Sequence, residues 1–255
     1  MLISPTRRRV VLLSLALLGL GDMLPVEAAC EDPPARRVNW LHCDKQGVDL
    51  HDADLREAVL TRANLAHARL NGARLSGADL GSAVLSGADL SGATLQGARL
   101  VSARLEGAIF TGANMAGARL ERAVLTGAML RDADLRGAAL YQADLSGADL
   151  SGADLSRANL AQAHLDAARL VNALLEEAVL SRAVLEDAVL SAARLRGARL
   201  DGANLLGADF RGADLSQATL AEARLDGAHF DGARLDSTIW NTRQRCQPGS
   251  VGVCR

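Results

Sequence analysis

Aromatic side chains are scarce in this chain of 255 residues, which has three Phe, two Trp and one Tyr. Proteins that bind single-stranded nucleic acid stack bases on aromatic side chains, and too few are present here to build such a platform. The formal net charge of −2 is also unlike that of a nucleic-acid binder. The composition therefore predicts no nucleic-acid partner.

Sequence motifs of catalytic sites are absent as well. The chain has no phosphate-binding G-x-x-x-x-G-K-[ST] loop, no G-x-S-x-G elbow and no H-E-x-x-H zinc motif. Ser and Asp occur together along much of the chain, but its repetitive composition accounts for this. The five histidines are scattered, at positions 42, 51, 67, 164 and 229. We therefore predict that the protein is not an enzyme and binds no cofactor.

A five-residue period dominates the sequence from Leu50 to Trp240. Every fifth residue is large and apolar, and an alanine precedes it by two residues from Ala53 to Ala233. A five-residue step turns about 140° around an α-helix, and in a strand it puts successive side chains on opposite faces. A continuous core forms only if the chain turns a corner after each repeat, with Ala and Leu both pointing inward. The apolar residue is Leu except at five positions: Phe110, Met115, Phe210, Phe230 and Trp240.

Glycine is confined almost entirely to the position two residues after the apolar residue, as in Gly72 and Gly77. Between Leu50 and Trp240, Gly81 is the only exception. Glycine suits a corner because it adopts positive φ without steric cost. Other corners carry a side chain, from which we predict that positive φ is not obligatory there. Examples are Arg62, Asp132, Gln142 and Glu222.

The repeat A-[D/N]-L-x-x, as in Ala53-Asp54-Leu55, Ala63-Asn64-Leu65 and Ala148-Asp149-Leu150, resembles the pentapeptide-repeat family. The resemblance covers about three-quarters of the chain. It implies an all-β fold, a right-handed quadrilateral parallel β-helix with four pentads in each coil. Residues twenty apart then stack, and at about 4.8 Å per coil the rod is about 45 Å long. The family is functionally diverse, and some members mimic duplex DNA and bind DNA gyrase.

Residues 1–28 are predicted to form an export signal peptide. Arg7, Arg8 and Arg9 make a basic segment, residues 10–20 are apolar, and cleavage is expected after Ala28. The apolar run is too short to span a bilayer, so no stable membrane insertion is expected. The arginines also loosely resemble a twin-arginine signal. A lipoprotein signal ending at Cys30 is the alternative, although Glu27 fits it poorly. The mature protein is predicted to be periplasmic or secreted.

The composition changes on both sides of the repeat. Residues 29–49 are predicted to form an N-terminal cap and residues 241–255 a C-terminal cap, since a solenoid must cover the open ends of its core. Trp40 is expected to cover the first layer, around Leu50 and Leu55. Ile239 and Trp240 are expected to close the last layer of the repeat, which runs over residues 50–240.

The four cysteines lie outside the repeat, two at each end. An even number of cysteines in an exported protein predicts disulfides. In the β-helix that the family resemblance implies, the two ends are much farther apart than the Cα distance of about 4.4–6.8 Å that a disulfide allows. We therefore predict Cys30–Cys43 and Cys246–Cys254. A metal site is the weaker alternative, because only His42 lies beside a cysteine.

Function must depend on outward residues if Ala and Leu fill the interior. Columns of residues twenty apart alternate in charge, which favours a balanced surface of cross-strand pairs. One coil differs, because its four outward positions are all apolar: Leu174, Val179, Val184 and Val189. Such a belt predicts a site of self-association or partner binding. The alternative is that branched apolar residues simply suit strands.

These observations predict a non-catalytic protein-binding or structural scaffold, exported to the bacterial envelope or exterior. The alternative is a DNA mimic that binds a type II topoisomerase in the cytoplasm. That function requires a sustained negative field, whereas Arg99 stacks on Arg119 and other arginines interrupt the acidic columns. It also requires that residues 1–28 are not an export signal.

Overall fold

A computed structural model describes residues 29–255, so the predicted signal peptide lies outside the described residues. From Asn39 to Ile239 the chain forms parallel β-bridges between residues twenty apart, such as Asn39 with Val59 and Asp144 with His164. Four pentads therefore make one coil of a four-sided solenoid. The β-structure of residues 29–255 consists of isolated bridges, with no helix and no longer strand. The right-handed sense stays an expectation of the family resemblance.

Each side of the solenoid is named here by the order in which the chain enters it. The first side holds the bridged column from Asn39 to Ile239, and the second holds the column from Asp44 to Arg224. The third side holds the column from Asp49 to His229, and the fourth holds the column from Asp54 to Arg234. Each pentad contributes its Ala, this outward residue, its apolar residue and two corner residues.

The inward Ala and Leu form the predicted core. Leu145, for example, is fully buried and lies one coil from Leu125 and Leu165, which are buried too. Its amide donates to the carbonyl of His164 at 2.7 Å, and the amide of His164 donates to the carbonyl of Ala143 at 2.9 Å. The same two bonds recur in almost every pentad, so the coils are joined on all four sides.

The preference for Asp or Asn before the apolar residue has a structural cause. The Oδ1 atom of Asp144 accepts a hydrogen bond from the amide of Ser146 at 3.0 Å, and Asn114 accepts one from Ala116 at 3.2 Å. That amide heads the corner and is the one donor of the pentad without a backbone acceptor. A short side chain with an oxygen satisfies it, as in an Asx turn. The main role of the outward Asp is therefore to stabilise the turn.

The second corner residue of every pentad, from Arg37 to Ser237, has positive φ, between 53° and 72°. The prediction that this conformation is not obligatory was wrong. Arg62, Asp132, Gln142 and Glu222 adopt it, with φ between 55° and 62°. A residue with a Cβ atom is strained there by about 1–2 kcal/mol. The bonds between coils on both sides of each corner over-determine the backbone, so the sequence tolerates the strain.

Relieving this strain should stabilise the rod. All corners between Gly152 and Gly197 carry a side chain, among them Ala167 and Ala192. We expect Ala167→Gly and Ala192→Gly each to raise the unfolding free energy by about 0.5–1 kcal/mol, because the relief exceeds the cost of a more flexible unfolded chain. Thermal melts measure the change. The control is Ala168→Gly, one residue after a corner, which should destabilise because Ala168 is buried. A loss of stability in both corner variants would mean that Ala167 and Ala192 are not strained.

Gly81, the glycine that breaks the corner rule, is explained by a close approach. A Cβ atom at this position would lie 2.5 Å from a guanidinium nitrogen of Arg99. Arg99 crosses the backbone here to donate to Oδ1 of Asp79 at 2.8 Å, and that oxygen also accepts from the amide of Gly81 at 2.9 Å. The glycine therefore makes room for an ion pair between coils.

The solenoid begins earlier than the boundary at residue 50 that the sequence pattern predicted. Arg37 already has the corner conformation, and Asn39 already bridges to Val59. Trp40 is 1% exposed and takes an inward position one coil before Leu60, in the same coil as Leu50 and Leu55. The predicted N-terminal cap is thus shortened to the residues before the first coil.

Both predicted disulfides are present, one at each end. Cys30 and Cys43 are joined with a Cα–Cα distance of 5.4 Å, and Cys246 and Cys254 with 4.8 Å. Cys43 is buried at an alanine position of the first coil, so its disulfide fixes residue 30 to the N-terminal end. Trp40 also donates from its indole nitrogen to the carbonyl of Asp32 at 3.2 Å, which holds the same segment.

The C-terminal end is closed differently from the prediction. The tail after Trp240 turns back, and two antiparallel bridges join Ile239 to Arg245 and Arg234 to Val251. Trp240 is only partly buried, and its ring meets that of Phe230 edge-on at 5.0 Å, while Phe230 stacks on Phe210 at 5.1 Å. An aromatic stack and a returning tail therefore close the core together.

Candidate protein-binding side

The predicted apolar belt does not form one surface. Leu174, Val179, Val184 and Val189 lie on the fourth, first, second and third sides respectively, so no flat partner can contact all four. Each is half-buried between the outward residues of the neighbouring coils, and none is among the exposed large apolar residues. The hypothesis that this belt is an exposed contact site is therefore not supported by its geometry.

Carboxylates on the first and fourth sides are paired with arginine, and so are some of those on the third side. On the fourth side Arg136 bonds Asp134 at 2.6 Å, and on the third side Arg131 bonds Asp149 at 2.6 Å. On the first side Arg99 bonds Asp79 at 2.8 Å. Because the arginine of each pair is exposed to water, each pair stabilises the fold by about 1 kcal/mol or less. Their main effect is to cancel the charge of the first and fourth sides. On the third side unpaired carboxylates remain, but arginines lie among them along the rod. The unpaired carboxylates of the third side are Asp52, Asp89, Asp132 and Asp231.

Ion pairing also lowers the pKa of several of these carboxylates. The hydrogen bond from the Arg56 guanidinium lowers the pKa of Asp54 to about 2. The pKa of Asp134 and the pKa of Asp209 are lowered for the same reason, by bonds from Arg136 and Arg211. These three aspartates stay ionised in any ordinary buffer, and their charge stays matched by the neighbouring arginine.

The second side is different, because four carboxylates without an arginine partner lie close together on a stretch that has no basic side chain of its own. Asp144, Asp166, Glu186 and Asp187 lie within three successive coils. Between Arg104 and Arg224 this side contains no Lys or Arg. Arg182 lies at the corner before this side, and it forms no salt bridge with a described residue. The second side therefore presents an uncompensated negative surface.

The contacts of these four carboxylates are weak or local. Asp144 accepts from the amide and hydroxyl of Ser146, which uses one oxygen in the turn. Asp166 lies 3.7 Å from Nδ1 of His164, and Glu186 accepts from Asn204 at 3.3 Å. Asp187 is exposed, and its carboxylate covers Gly207, where a Cβ atom would lie 2.3 Å from it. At least three carboxylates are thus free to meet a cationic partner.

Sequence reasoning missed this side because it examined the outward residue of each pentad, where Asp has a structural role. Asp166, Glu186 and Asp187 occupy the two corner positions instead. The signal was available: in the pentads from residue 123 to 207 on this side, acidic residues occur without a basic one. Stacking all five positions of the period, rather than one, would have revealed it.

Other kinds of site are not found. Within residues 29–255, no group of three or more His, Cys, Asp or Glu side chains could hold a metal ion. No helix that the structure describes is long and apolar enough to cross a membrane. One surface depression has a volume of about 450 Å³ and is lined by charged side chains such as Arg136 and Glu176, so it lacks the apolar walls of a small-molecule pocket.

The four-sided coil and the repeat that builds it define the protein class, and the family model for pentapeptide repeats matches this chain in eight copies. The matched ranges are residues 46–81, 73–112, 103–140, 143–182, 168–207 and 203–239. The chain belongs to the pentapeptide-repeat family. Members of this family are generally non-catalytic binding or structural proteins. None of the curated proteins matches the chain.

Several solved structures are similar to this chain. HetL, a pentapeptide repeat protein involved in heterocyst differentiation regulation in the cyanobacterium Nostoc sp. strain PCC 7120, is 33% identical, with 75% of this chain and 92% of HetL covered and a TM-score of 0.42. A pentapeptide repeat protein from the Arabidopsis thaliana thylakoid lumen is 34% identical over 37% of this chain and 66% of its own, with a TM-score of 0.37. QnrB1, a plasmid-mediated fluoroquinolone resistance protein, is 21% identical over 76% and 90%, with a TM-score of 0.43.

Proposed function

We propose that this chain is an exported, non-catalytic scaffold of the bacterial envelope or exterior, and that its second side binds a basic surface of a partner protein. The observation that carries the proposal is the set of carboxylates without arginine partners: Asp144, Asp166, Glu186 and Asp187. The first and fourth sides pair their carboxylates with arginine, and the third side has arginines among its carboxylates, whereas this stretch of the second side has no arginine or lysine. A negative surface of this kind favours encounter with a positive one and orients it.

Two features support export, one in the sequence of residues 1–28 and one in the folded chain. Residues 1–28 have the basic and apolar segments of a signal peptide. All four cysteines are joined in disulfides, which persist mainly in oxidising compartments. The mature N-terminus, measured by mass spectrometry of protein from the native host, tests this part. Cleavage near Ala28 agrees with export, and an intact Met1 in the cytosol contradicts it.

Neutralising the second side should weaken partner binding. We expect Asp166→Asn, Glu186→Gln and Asp187→Asn, made together, to weaken capture of the partner from envelope extracts by about tenfold or more, since steering charges change association by that amount. Asp144 is left intact because it supports a turn. Quantitative pull-down with the immobilised protein measures the change, and added salt should weaken wild-type binding in parallel.

A matched control separates the second side from total charge. Glu57→Gln, Glu176→Gln and Glu177→Gln change the net charge equally, but all three lie on the fourth side, where each carboxylate already has an arginine partner. This variant should capture the partner like the wild type. Equal losses in both variants would mean that only net charge matters, and no loss in the second-side variant would reject the proposal.

The alternative is a DNA mimic that binds a type II topoisomerase, and the same unpaired carboxylates give it some support. Duplex DNA is negative around its whole circumference, whereas here the first and fourth sides are ion-paired and the third has arginines among its carboxylates. The alternative also requires a cytoplasmic protein. A cytosolic chain with an intact Met1, together with binding to a purified topoisomerase that duplex DNA displaces, would favour it over the scaffold.

A further inference from the structure

Two surface depressions on the edges of the fourth side have the same arrangement of side chains. The first, of about 440 Å³, lies at the corner between the third and fourth sides, and Ser151 is part of its lining. The second, of about 310 Å³, lies at the corner between the fourth and first sides, and Ser216 is part of its lining. They are named here the Ser151 site and the Ser216 site.

Each of these serines lies between two arginines. One arginine comes twenty residues before the serine, in the coil below, and the other comes eighteen residues after it, in the coil above. The pairs are Arg131 with Arg169 in the Ser151 site and Arg196 with Arg234 in the Ser216 site. No other serine in residues 29–255 has arginines at both spacings. The combination is therefore particular to these two places and is not a general property of corners.

Each site keeps a guanidinium group without a partner. Arg169 and Arg196 form no hydrogen bond and no salt bridge with any residue from 29 to 255. Arg234 lies 3.6 Å from Asp214 and 3.7 Å from Asp236, which is beyond hydrogen-bond distance of either carboxylate. Such a guanidinium offers a planar fork of donors that matches the two oxygens of a carboxylate.

The serine hydroxyls of the two sites are also without a partner. The Oγ atoms of Ser151 and Ser216 are buried and form no hydrogen bond within the described part of the chain. At the equivalent position of the second side, Ser146 donates its hydroxyl to Asp144 at 2.6 Å. A buried hydroxyl that is left unpaired is unfavourable. Because the arginines of each site are exposed, they can rearrange around a ligand whose oxygen then satisfies the hydroxyl.

Carboxylates in the same depressions define the ligand further. Asp132 lines the Ser151 site, and Asp214 and Asp236 line the Ser216 site. They would repel a compact polyanion such as a phosphate chain, because like charges placed side by side oppose binding. They would instead accept hydrogen bonds from hydroxyl groups. The ligand therefore has a single carboxylate at each site with hydroxyl groups beside it, which is the chemistry of a uronic acid.

We propose that the Ser151 and Ser216 sites each bind one uronic-acid unit and that together they hold an acidic polysaccharide across the fourth side. The sugar carboxylate accepts hydrogen bonds from Arg169 in one site and from Arg196 in the other. The sugar hydroxyls donate to the aspartates. In the Ser151 site Val171 adds an apolar wall for the C–H face of the sugar ring. The sites use none of the carboxylates proposed to bind a protein on the second side.

The positions of the two sites suit a single polysaccharide chain. Ser151 and Ser216 are 65 residues apart, which is three coils and one side. At about 4.8 Å per coil, the sites are separated by about 16 Å along the rod. Leu174 lies on the fourth side between them and is half-buried, so it offers an apolar contact on the way. A chain that occupies both sites binds more tightly than one unit does, as any bivalent ligand would.

Isothermal titration calorimetry of the full chain, with both disulfides intact, tests the proposal with hexagalacturonate as the probe. The wild type should bind, and Arg169→Gln with Arg196→Gln should raise the dissociation constant by about tenfold or more, because each change removes a hydrogen bond between charged groups. The control is Arg62→Gln with Arg122→Gln, which removes two exposed arginines that also lack a salt bridge but lie after the first side. A wild type that does not bind at about 10 mM sugar, or equal losses in both variants, would overturn the proposal.

Two further ligands test the chemical class. Methyl-esterified hexagalacturonate has the same sugar chain without the negative charges, and tripolyphosphate has negative charges without a sugar. Both should bind the wild type about tenfold more weakly than hexagalacturonate, or not at all. If the ester binds equally well, the arginines do not recognise a carboxylate. If tripolyphosphate binds equally well, the sites respond to charge alone, and either result rejects a uronic-acid site.

Single variants test whether the two sites act together. Arg169→Gln alone and Arg196→Gln alone should each weaken hexagalacturonate binding, whereas digalacturonate should still bind at the site that is left intact. If neither single variant weakens hexagalacturonate binding, one chain does not span both sites and the arrangement is wrong. The variant with Asp166→Asn, Glu186→Gln and Asp187→Asn should bind hexagalacturonate like the wild type. Failure of the sugar to bind would therefore leave the proposed protein partner of the second side unaffected.

Discussion

Replacing Leu185 with aspartate is expected to prevent folding of the coils around it. Leu185 is fully buried, lies between Leu165 and Leu205 in its column, and has only apolar neighbours inside the tube. Loss of the leucine costs about 2–5 kcal/mol. Burial of a carboxylate without a partner adds several more. The sum is comparable to the total stability of a domain, about 5–15 kcal/mol, so no cooperative native state should remain.

The adjacent residue provides the control. Val184 precedes Leu185, points outward on the second side and is half-buried. Val184→Asp should change the unfolding free energy by only about 1 kcal/mol, because the carboxylate stays in water. Far-UV circular dichroism and thermal melts of the two variants compare them directly. Equal effects at neighbouring positions would mean that the five-residue period does not separate inside from outside.

The regular part of the fold could be predicted because one short rule is repeated many times. The inward position of every Ala and Leu follows from the period, and so does the stacking of residues twenty apart. The corner conformation was underestimated, since a single sequence shows which residues occupy a corner but not how strongly the neighbouring coils constrain it. Positive φ at Ala167 or Arg62 results from bonds to other coils, not from local preference.

The ends were harder to predict because the chain keeps the coil geometry after the sequence pattern has ended. Trp40 and Lys45 occupy positions that hold Leu elsewhere, in a coil whose Ala positions are Val38, Cys43 and Val48. At the mouth of the tube Lys45 does not have to be buried fully, and its ammonium group lies 4.4 Å from the centre of the Trp40 ring. A cation over an aromatic face is a favourable end to an apolar column.

The candidate binding side depends on which charges form ion pairs. Ion pairing depends on distances in the folded chain and cannot be counted from the sequence. Arg136 and Asp134 are two residues apart, whereas Arg131 and Asp149 lie eighteen apart on neighbouring coils. Composition alone gives a nearly neutral chain, and the arginines of the other sides hide the acidic stretch of the second side in that total. The turn role of Asp144 was hidden for the same reason, because its partner is the amide of Ser146.

Deletions of four, five and twenty residues should distinguish what the protein needs to fold from what it needs to bind its partner. Removal of residues 171–174 shifts the inward pattern by one position for the rest of the chain, so the leucines from Leu175 to Leu235 leave the core register. We expect the C-terminal part of the rod not to fold, because the burial of many leucines at about 1.5–3 kcal/mol each is lost. Limited proteolysis and circular dichroism detect this loss.

Removal of residues 171–175 deletes one pentad and keeps the inward pattern intact. The rod should fold with a modestly lower melting temperature. Everything after the deletion turns by one side, so Glu186 and Asp187 leave the side that holds Asp144 and Asp166. Binding should therefore fall about as far as in the neutralised variant, although the protein remains folded and its composition of charges is almost unchanged.

Removal of residues 111–130 deletes one whole coil and leaves every later column on its original side. This shorter rod should fold and bind like the wild type, since none of the four carboxylates is removed or rotated. If the deletion of residues 171–175 binds normally, the four carboxylates do not act as one surface. If the deletion of residues 111–130 fails to fold, coils are not interchangeable units. The contrast between five and twenty residues thus separates the requirement for a core from the requirement for a shared side.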